Sequence, residues 1–314
     1  MSFPDRGSIT RIEDKTPLWH LAPVVAGLRA ARERWRMSHQ REREFGGREF
    51  PSREAIQDIV THLCGALFPM RLGPPDLHQE SEDYYVGHAL DMALNTLLQQ
   101  IRLELDYARR HDGGTEDIEA RALRIVRDFS SALPEVRSLL DTDVDAAYRG
   151  DPAARSVDEV VLCYPGVLAM IHHRLAHSLF NLGAPLVARI ISEIAHSATG
   201  IDIHPGAHIG PSFFVDHGSG VVIGETTVIG TNVRLYQAVT LGAKRFNTDD
   251  SGQLEKGQPR HPIVEDDVVI YAGATILGRV VIGRGSTIGG NVWLTHDVPP
   301  GSHVSQASSR HDQQ

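Results

Sequence analysis

An aliphatic residue returns at every sixth position along the second part of this chain, and few folds accommodate that period. Val264, Ile270, Ile276, Ile282, Ile288 and Leu294 hold the step, as do Ile203, Ile209 and Val215, and then Ile223, Ile229, Leu235 and Leu241. Gly follows the aliphatic residue at Gly210, Gly224, Gly230, Gly242, Gly283 and Gly289. A small or β-branched residue often stands four places on, as at Ala207, Thr227, Val233, Val239, Ala274, Val280, Ser286 and Val292. A helix repeats at 3.6 and a strand at 2, so neither explains a period of six. The pattern suits a solenoid whose coil is a polygon of short strands, each hexad making one side and one corner. The aliphatic residue then points inward, and Gly tolerates the backbone angles of the corner.

The register slips twice. Val215 to Ile223 is eight residues, and Leu241 to Val264 is 23, so a loop leaves the solenoid there. Its content (Lys244, Arg245, Asn247, Asp249, Asp250, Gly252, Lys256, Gly257) is polar and flexible. Before residue 200 the apolar spacing is helical instead. Tyr85, Ala89, Met92, Leu97, Ile101 and Leu105 recur at steps of three to five, and Ile118–Leu140 and Val167–Ile194 read alike. Ser156 and Glu159 fit a capping box, while Pro165 and Pro185 break or restart helices. The Arg- and Glu-rich stretch 28–53 reads as a solvated helix face, and residues 1–20 carry no pattern and read as candidates for disorder.

Four short motifs lie on or beside the repeat: DIHP at 202–205, DHGSG at 216–220, VVIGE at 221–225 and RHP at 260–262. With the pair Asp151-Pro152 they resemble the serine acetyltransferases, members of the hexapeptide-repeat acyltransferases, over roughly residues 150–300. The ordered spacing agrees as well: Asp151 to Asp202 is 51 residues and Asp202 to His217 is 15. The resemblance implies an α+β chain. An all-helical N-terminal domain (1–200) that joins subunits precedes a left-handed parallel β-helix (201–300). A loop excursion falls at about 243–262, and a polar tail covers 301–314. Three hexads to a coil, about 18 residues, is also the family's feature.

The expected reaction moves an acetyl group from acetyl-CoA to the hydroxyl of L-serine, the first step of cysteine biosynthesis. Such a transfer needs the hydroxyl deprotonated as it attacks, and a histidine exchanges protons near neutral pH. His217 is the candidate base. Asp202, 15 residues earlier and close on a neighbouring coil, is the carboxylate expected to fix its tautomer. The substrate supplies the nucleophile, so no enzyme serine or cysteine is required. The resemblance further implies that Asp151, beside Pro152, and Asp216 face the substrate ammonium. It implies that Arg260 pairs with the substrate carboxylate, that His261 lies beside the reacting group, and that Glu225 supports the base. For acetyl-CoA it implies backbone contacts at Gly242, Ala243, Ala272 and Gly290, with Arg279 and Arg284 as phosphate partners. As simpler readings, both arginines are outward hexad positions and Asp151 caps a turn before Pro152.

The other 16 histidines read as structural or solvated: His204 packs a corner, and His172, His173 and His177 are polar helix positions. Adding 18 to 204 and to 217 reaches Val222 and Leu235, so no stacked histidine set forms and no metal is expected. No permanently bound cofactor is expected either. The net charge of −9 offers no global field for nucleic acid or an anionic membrane. Two cysteines in no redox spacing, no secretory signal and no long apolar run point to a cytoplasmic protein. The family implies a homotrimer or a dimer of trimers. Its members often end in an isoleucine that docks into the sulfhydrylase making cysteine. Here Val298-Pro299-Pro300-Gly301 leads to SHVSQASSRHDQQ, so a tight complex by that route is not expected. Acetylation of homoserine or a sugar, and a non-catalytic scaffold, are the alternatives. An Asp202–His217 pair argues against the scaffold.

Overall fold

The computed structural model describes residues 21–39, 49–112, 115–244 and 257–306. Residues 1–20, most of the loop excursion (245–256) and the tail after 306 lie outside the described residues. The chain groups into two compact units, Met1–Glu49 and Phe50–Gln314. In the first, α1 (Leu21–Ser38) buries none of its residues.

In the second unit, α2 (Arg53–Leu67) starts at Ser52, whose hydroxyl accepts from Ala55 N–H. After the short α3 (Pro69–Leu72), α4 (Glu82–Asp112) and α5 (Ile118–Gly150) are two long amphipathic helices packed on each other. Asp117 caps α5 by accepting from Glu119 and Ala120 N–H. The helix α6 (Val157–Cys163) uses the expected Ser156 cap, although Glu159 returns to Arg155 N–H rather than to Ser156. The stretch expected as one helix beyond Pro165 is two, α7 (Pro165–Asn181) and α8 (Pro185–Thr199). Pro185 opens the second of them. Gly200, at φ +70°, ends the helical part.

From there the chain winds as a left-handed parallel β-helix. Its first coil holds β1 (Asp202–Ile203), β2 (His208–Ile209) and β3 (Phe214–Val215). The second holds β4 (Val222–Ile223), β5 (Val228–Ile229) and β6 (Arg234–Leu235). Next come β7 (Thr240–Gly242), β8 (Ile263–Val264), β9 (Val269–Ile270), β10 (Thr275–Leu277), β11 (Val281–Ile282) and β12 (Thr287–Ile288). The last are β13 (Trp293–Leu294) and β14 (His303–Val304). Every third strand stacks. A first sheet runs β1-β4-β7-β10-β13, a second is made of β2, β5, β8 and β11, and a third of β3, β6, β9, β12 and β14.

All thirteen six-step aliphatic positions are buried, none more than 6% exposed. Fully burying such a side chain contributes about 1.5–3 kcal/mol, so the stacked rows are the main cohesive term of the solenoid. They continue without a break into the helices, forming one core from Ile56 to Val298. No helix among the described residues is long and apolar enough to cross a membrane.

Candidate active site

The eight-residue step after β3 makes a wide corner between the third and first sheets, and this corner carries Asp216 and His217. His217 adopts φ +59°. The same left-handed conformation recurs at Ser212, Asn232, Ala238, Asp267 and Asn291, so it is corner geometry rather than local strain. Gly218 rests on the Ile201 side chain, where a β-carbon would collide. His217 itself projects outward, its side chain 73% exposed.

Two helical segments close on this corner. Gly166, in the first turn of α7, lies so close to the Val215 carbonyl that no side chain fits. Gly150, ending α5, meets the Phe214 ring in the same way. They deliver Tyr164 and Asp151. The Tyr164 hydroxyl donates to the Asp151 carboxylate at 2.5 Å, while Asp151 also accepts from Ala153 N–H at 2.8 Å. That bond to Tyr164 holds the Asp151 carboxyl below its usual range and pushes the Tyr164 phenol up to about 12. Asp216 is buried, with Oδ1 3.7 Å from His217 Nε2 and Oδ2 accepting from Arg234. Arg234 also donates to the Gly150 carbonyl at 2.8 Å. Asp151, Asp216 and His217 are therefore brought together, with Pro152 exposed at the rim.

Tyr164 and Arg234 were not singled out in the sequence. Arg234 could have been, since it stands 18 positions, one coil, after Asp216. Asp202 is placed differently from expectation. Its carboxylate groups with Glu193 and His196 of α8, their ligand-type atoms within 4.8 Å of one another, and it makes no hydrogen bond or ion pair with His217. Glu193 is already paired with Arg189 at 2.6 Å. His204 accepts from Gly206 N–H and meets the Phe180 ring edge-on, a packing role.

The second group lies at the other end of the first sheet, where β4 turns into β5 and the excursion returns to β8. Arg260 pairs with Glu225 at 2.6 Å, both about a quarter exposed. His261 is buried, and its Nδ1 accepts from Thr226 N–H at 3.0 Å. The Thr226 hydroxyl accepts from the N–H groups of Arg260 and His261, so its own proton goes to Nδ1 as well. The imidazole proton therefore sits on Nε2. Burial, then the Arg260 cation, lowers His261 to about 4, and it is neutral at neutral pH. Its ring fills the space a β-carbon on Gly224 would need.

Of the six positions expected to meet acetyl-CoA, Ala272 and Gly290 stack on the His217 corner, with Gly290 against the Ala272 carbonyl. Gly242 and Ala243 begin the other corner, where Arg279 donates to the carbonyls of Thr226 and His261. Arg284 sits at the third corner, paired with Asp266 at 2.6 Å, and joins neither group. The six residues of one side, at about 3.3 Å each, span on the order of 20 Å. One subunit therefore holds two half-sites too far apart for a single amino acid.

The sequence pattern described as bacterial transferase hexapeptide (six repeats) matches residues 261–296. A plasmid-borne serine acetyltransferase of Synechococcus elongatus is 52% identical, over 99% of this chain and 98% of its own. A serine acetyltransferase of Bacillus subtilis is 48% identical over 53% of this chain and 72% of its own. Among solved structures, serine acetyltransferase 1 of Entamoeba histolytica in complex with L-cysteine superposes with TM-score 0.68. It is 36% identical, covering 79% of this chain and 86% of the other. The soybean serine acetyltransferase complexed with serine superposes at TM-score 0.51 and 30% identity, covering 82% and 98%.

Proposed function

The chain belongs to the serine acetyltransferase family, an acyltransferase family, and from that premise we propose that it acetylates L-serine from acetyl-CoA with His217 as general base. The observation that carries this reading is the exposed His217 imidazole on the corner where Asp151 and Asp216 converge. His217 takes the serine hydroxyl proton as the oxygen attacks the thioester carbonyl. The tetrahedral intermediate collapses, the C–S bond breaks, and the imidazolium returns its proton to the leaving thiolate. The products are O-acetyl-L-serine and CoA. Relatives solved with serine and with L-cysteine support serine as acceptor and a place at the entry to cysteine synthesis.

Asp151 and Asp216 receive the substrate ammonium, and Arg260, steadied by Glu225, receives its carboxylate. Neutral His261 directs Nε2–H at the oxyanion, a role its tautomer supports. Asp202 backs His217 after turning from Glu193 and His196; the seat of Gly218 on Ile201, next to Asp202, supports this arrangement. Acetyl-CoA follows the groove past Gly242, Ala243, Ala272 and Gly290, with Arg279 at its edge. Because the half-sites lie at two ends of one sheet, the complete site forms between subunits of a trimer, His217 from one and His261 from the next.

Thiol release from acetyl-CoA measured over an acceptor panel tests the reading. L-serine should drive release, and His217→Ala should lower kcat by roughly a thousandfold or more. Equal turnover of homoserine or a sugar would sink the serine assignment, and an unimpaired His217→Ala would sink the base.

A further inference from the structure

We propose that Arg234 is the positioning residue that sets both the geometry and the charge of the ammonium subsite between Asp151 and Asp216. The inference rests on the reading of that corner as the amino-acid subsite. Arg234 touches neither the reacting hydroxyl nor the thioester in this scheme; it acts through the groups it holds.

Its guanidinium bridges two parts of the chain that must agree for the subsite to exist. One arm donates to Asp216, which precedes His217 on the corner after β3. The other donates to the carbonyl of Gly150, the residue before Asp151. One planar fork therefore fixes the end of α5 against the β-helix, and with it the separation of the two carboxylates. Lys, a single point donor, cannot satisfy both acceptors at once.

Aromatic rings hold the fork in place. Its central carbon lies 4.9 Å from the Phe214 ring centroid and 4.6 Å from that of Tyr236. Tyr236 in turn stacks on Tyr271 at 4.9 Å and 13°. The side chain is only a quarter exposed, so its bonds to Asp216 and Gly150 are shielded from water.

Charge completes the argument. Asp151 and Asp216 are two negative charges, and the substrate ammonium is one positive charge. Arg234 balances Asp216, leaving one negative charge for the ammonium to meet. It also restrains Asp216, 3.7 Å from His217 Nε2, from drawing a proton onto the base. The other groups around His217 are Asp151 at the end of α5, Tyr164 before α7, and Asp202 on β1 beside Ile201. Arg234 is the cation among these groups.

The test compares wild type, Arg234→Gln and Arg234→Lys by initial rates across pH, with thermal melts in parallel. Arg234→Gln should raise KM for L-serine roughly tenfold while KM for acetyl-CoA stays within about twofold. The acidic limb of its kcat/KM profile should move up by about half a pH unit. Arg234→Lys keeps the charge but not the fork, so KM for serine should rise while the limb stays put. If Arg234→Gln fails to fold, the Lys variant still tests the geometric half. An unchanged serine KM in both variants would overturn the proposal. So would equal rises in both KM values tracking a lower melting temperature, the mark of a merely structural residue. A wild type that turns over hydroxyl acceptors equally with or without an amine would instead overturn the amino-acid subsite, and the wild-type data alone would reveal it.

Discussion

Gly224 carries the tightest constraint in the second half-site, because the ring of His261 occupies the volume of its missing side chain. Any β-carbon there pushes the imidazole off Thr226 and so loses the tautomer that leaves Nε2–H free to donate. Gly224→Ala should therefore lower kcat by about a hundredfold, the scale of one lost oxyanion donor. Serine KM should change far less and the circular dichroism spectrum should be retained. A kcat within a factor of about two of wild type would refute the donor role. The pH response separates the two histidines. His261 lies near 4 in the folded chain, against an ordinary value near 6.5. Between those values the unfolded chain binds the extra proton, so His261 makes stability fall as pH drops from about 6.5 towards 4. The acidic limb of activity near neutrality belongs to another group, which in this scheme is His217.

The junction of α7 with the first coil shows what elements add to residues. His172 and His173 read as polar positions of an ordinary helix, yet both are buried. The helix lies between α8, α5 and β3, so most of its circumference is covered and the simple amphipathic reading fails. His173 Nδ1 has no hydrogen-bond partner, and the ring stacks on His177 at 5.6 Å. Burial is the leading cause that lowers His172, His173, His177 and His204 alike. Each binds its proton more readily when unfolded, so stability is lost as pH falls below about 6.5. His173→Phe removes an unsatisfied buried group beside a small void lined by Ala169, Ser192, Ala195, Ile201 and Ile203. It should stabilise the fold by about 1 kcal/mol near pH 7.5 and by more near pH 5.5, read from denaturant melts at both. Equal gains at the two pH values would remove the histidine explanation. The same junction marks the limit of what the sequence made legible. The hexads predicted the three-sheet solenoid because a period of six has one structural solution. The buried Asp143–Arg174 pair had no such signal. Its members are 31 residues apart in two helices, and they meet at 2.6 and 2.8 Å only once α5 and α7 pack. Arg174 also donates to the Ile209 and Gly210 carbonyls, and Asp143 accepts from Phe213 N–H, which ties the helices to the first coil. Asp202 teaches the converse. Counting 15 residues placed it near His217 in register, but side-chain direction depends on α8, whose Glu193 and His196 lie beside it.

At the scale of the whole molecule, the separation of the half-sites gives the proposed trimer a consequence that a monomeric enzyme would not share. His217, with Asp151 and Asp216, occupies one end of the first sheet, while Arg260 and His261 occupy the other. If each complete site takes one half from each of two neighbouring subunits, two differently damaged chains can repair one another. His217→Ala alone and His261→Asn alone should each be nearly inactive. Co-expressed in equal amounts, they assemble at random. A given site then draws an intact His217 half with a chance of about one half, and an intact His261 half with the same chance. About one quarter of sites are whole, so the mixed preparation should recover roughly a quarter of wild-type kcat. Mixing wild type with the double variant His217→Ala/His261→Asn gives the same fraction by the same count, which serves as the internal standard. If both halves belonged to one subunit, the mixed single variants would stay inactive while the wild-type mixture retained about half its activity. The contrast between those two mixtures decides where the site is assembled.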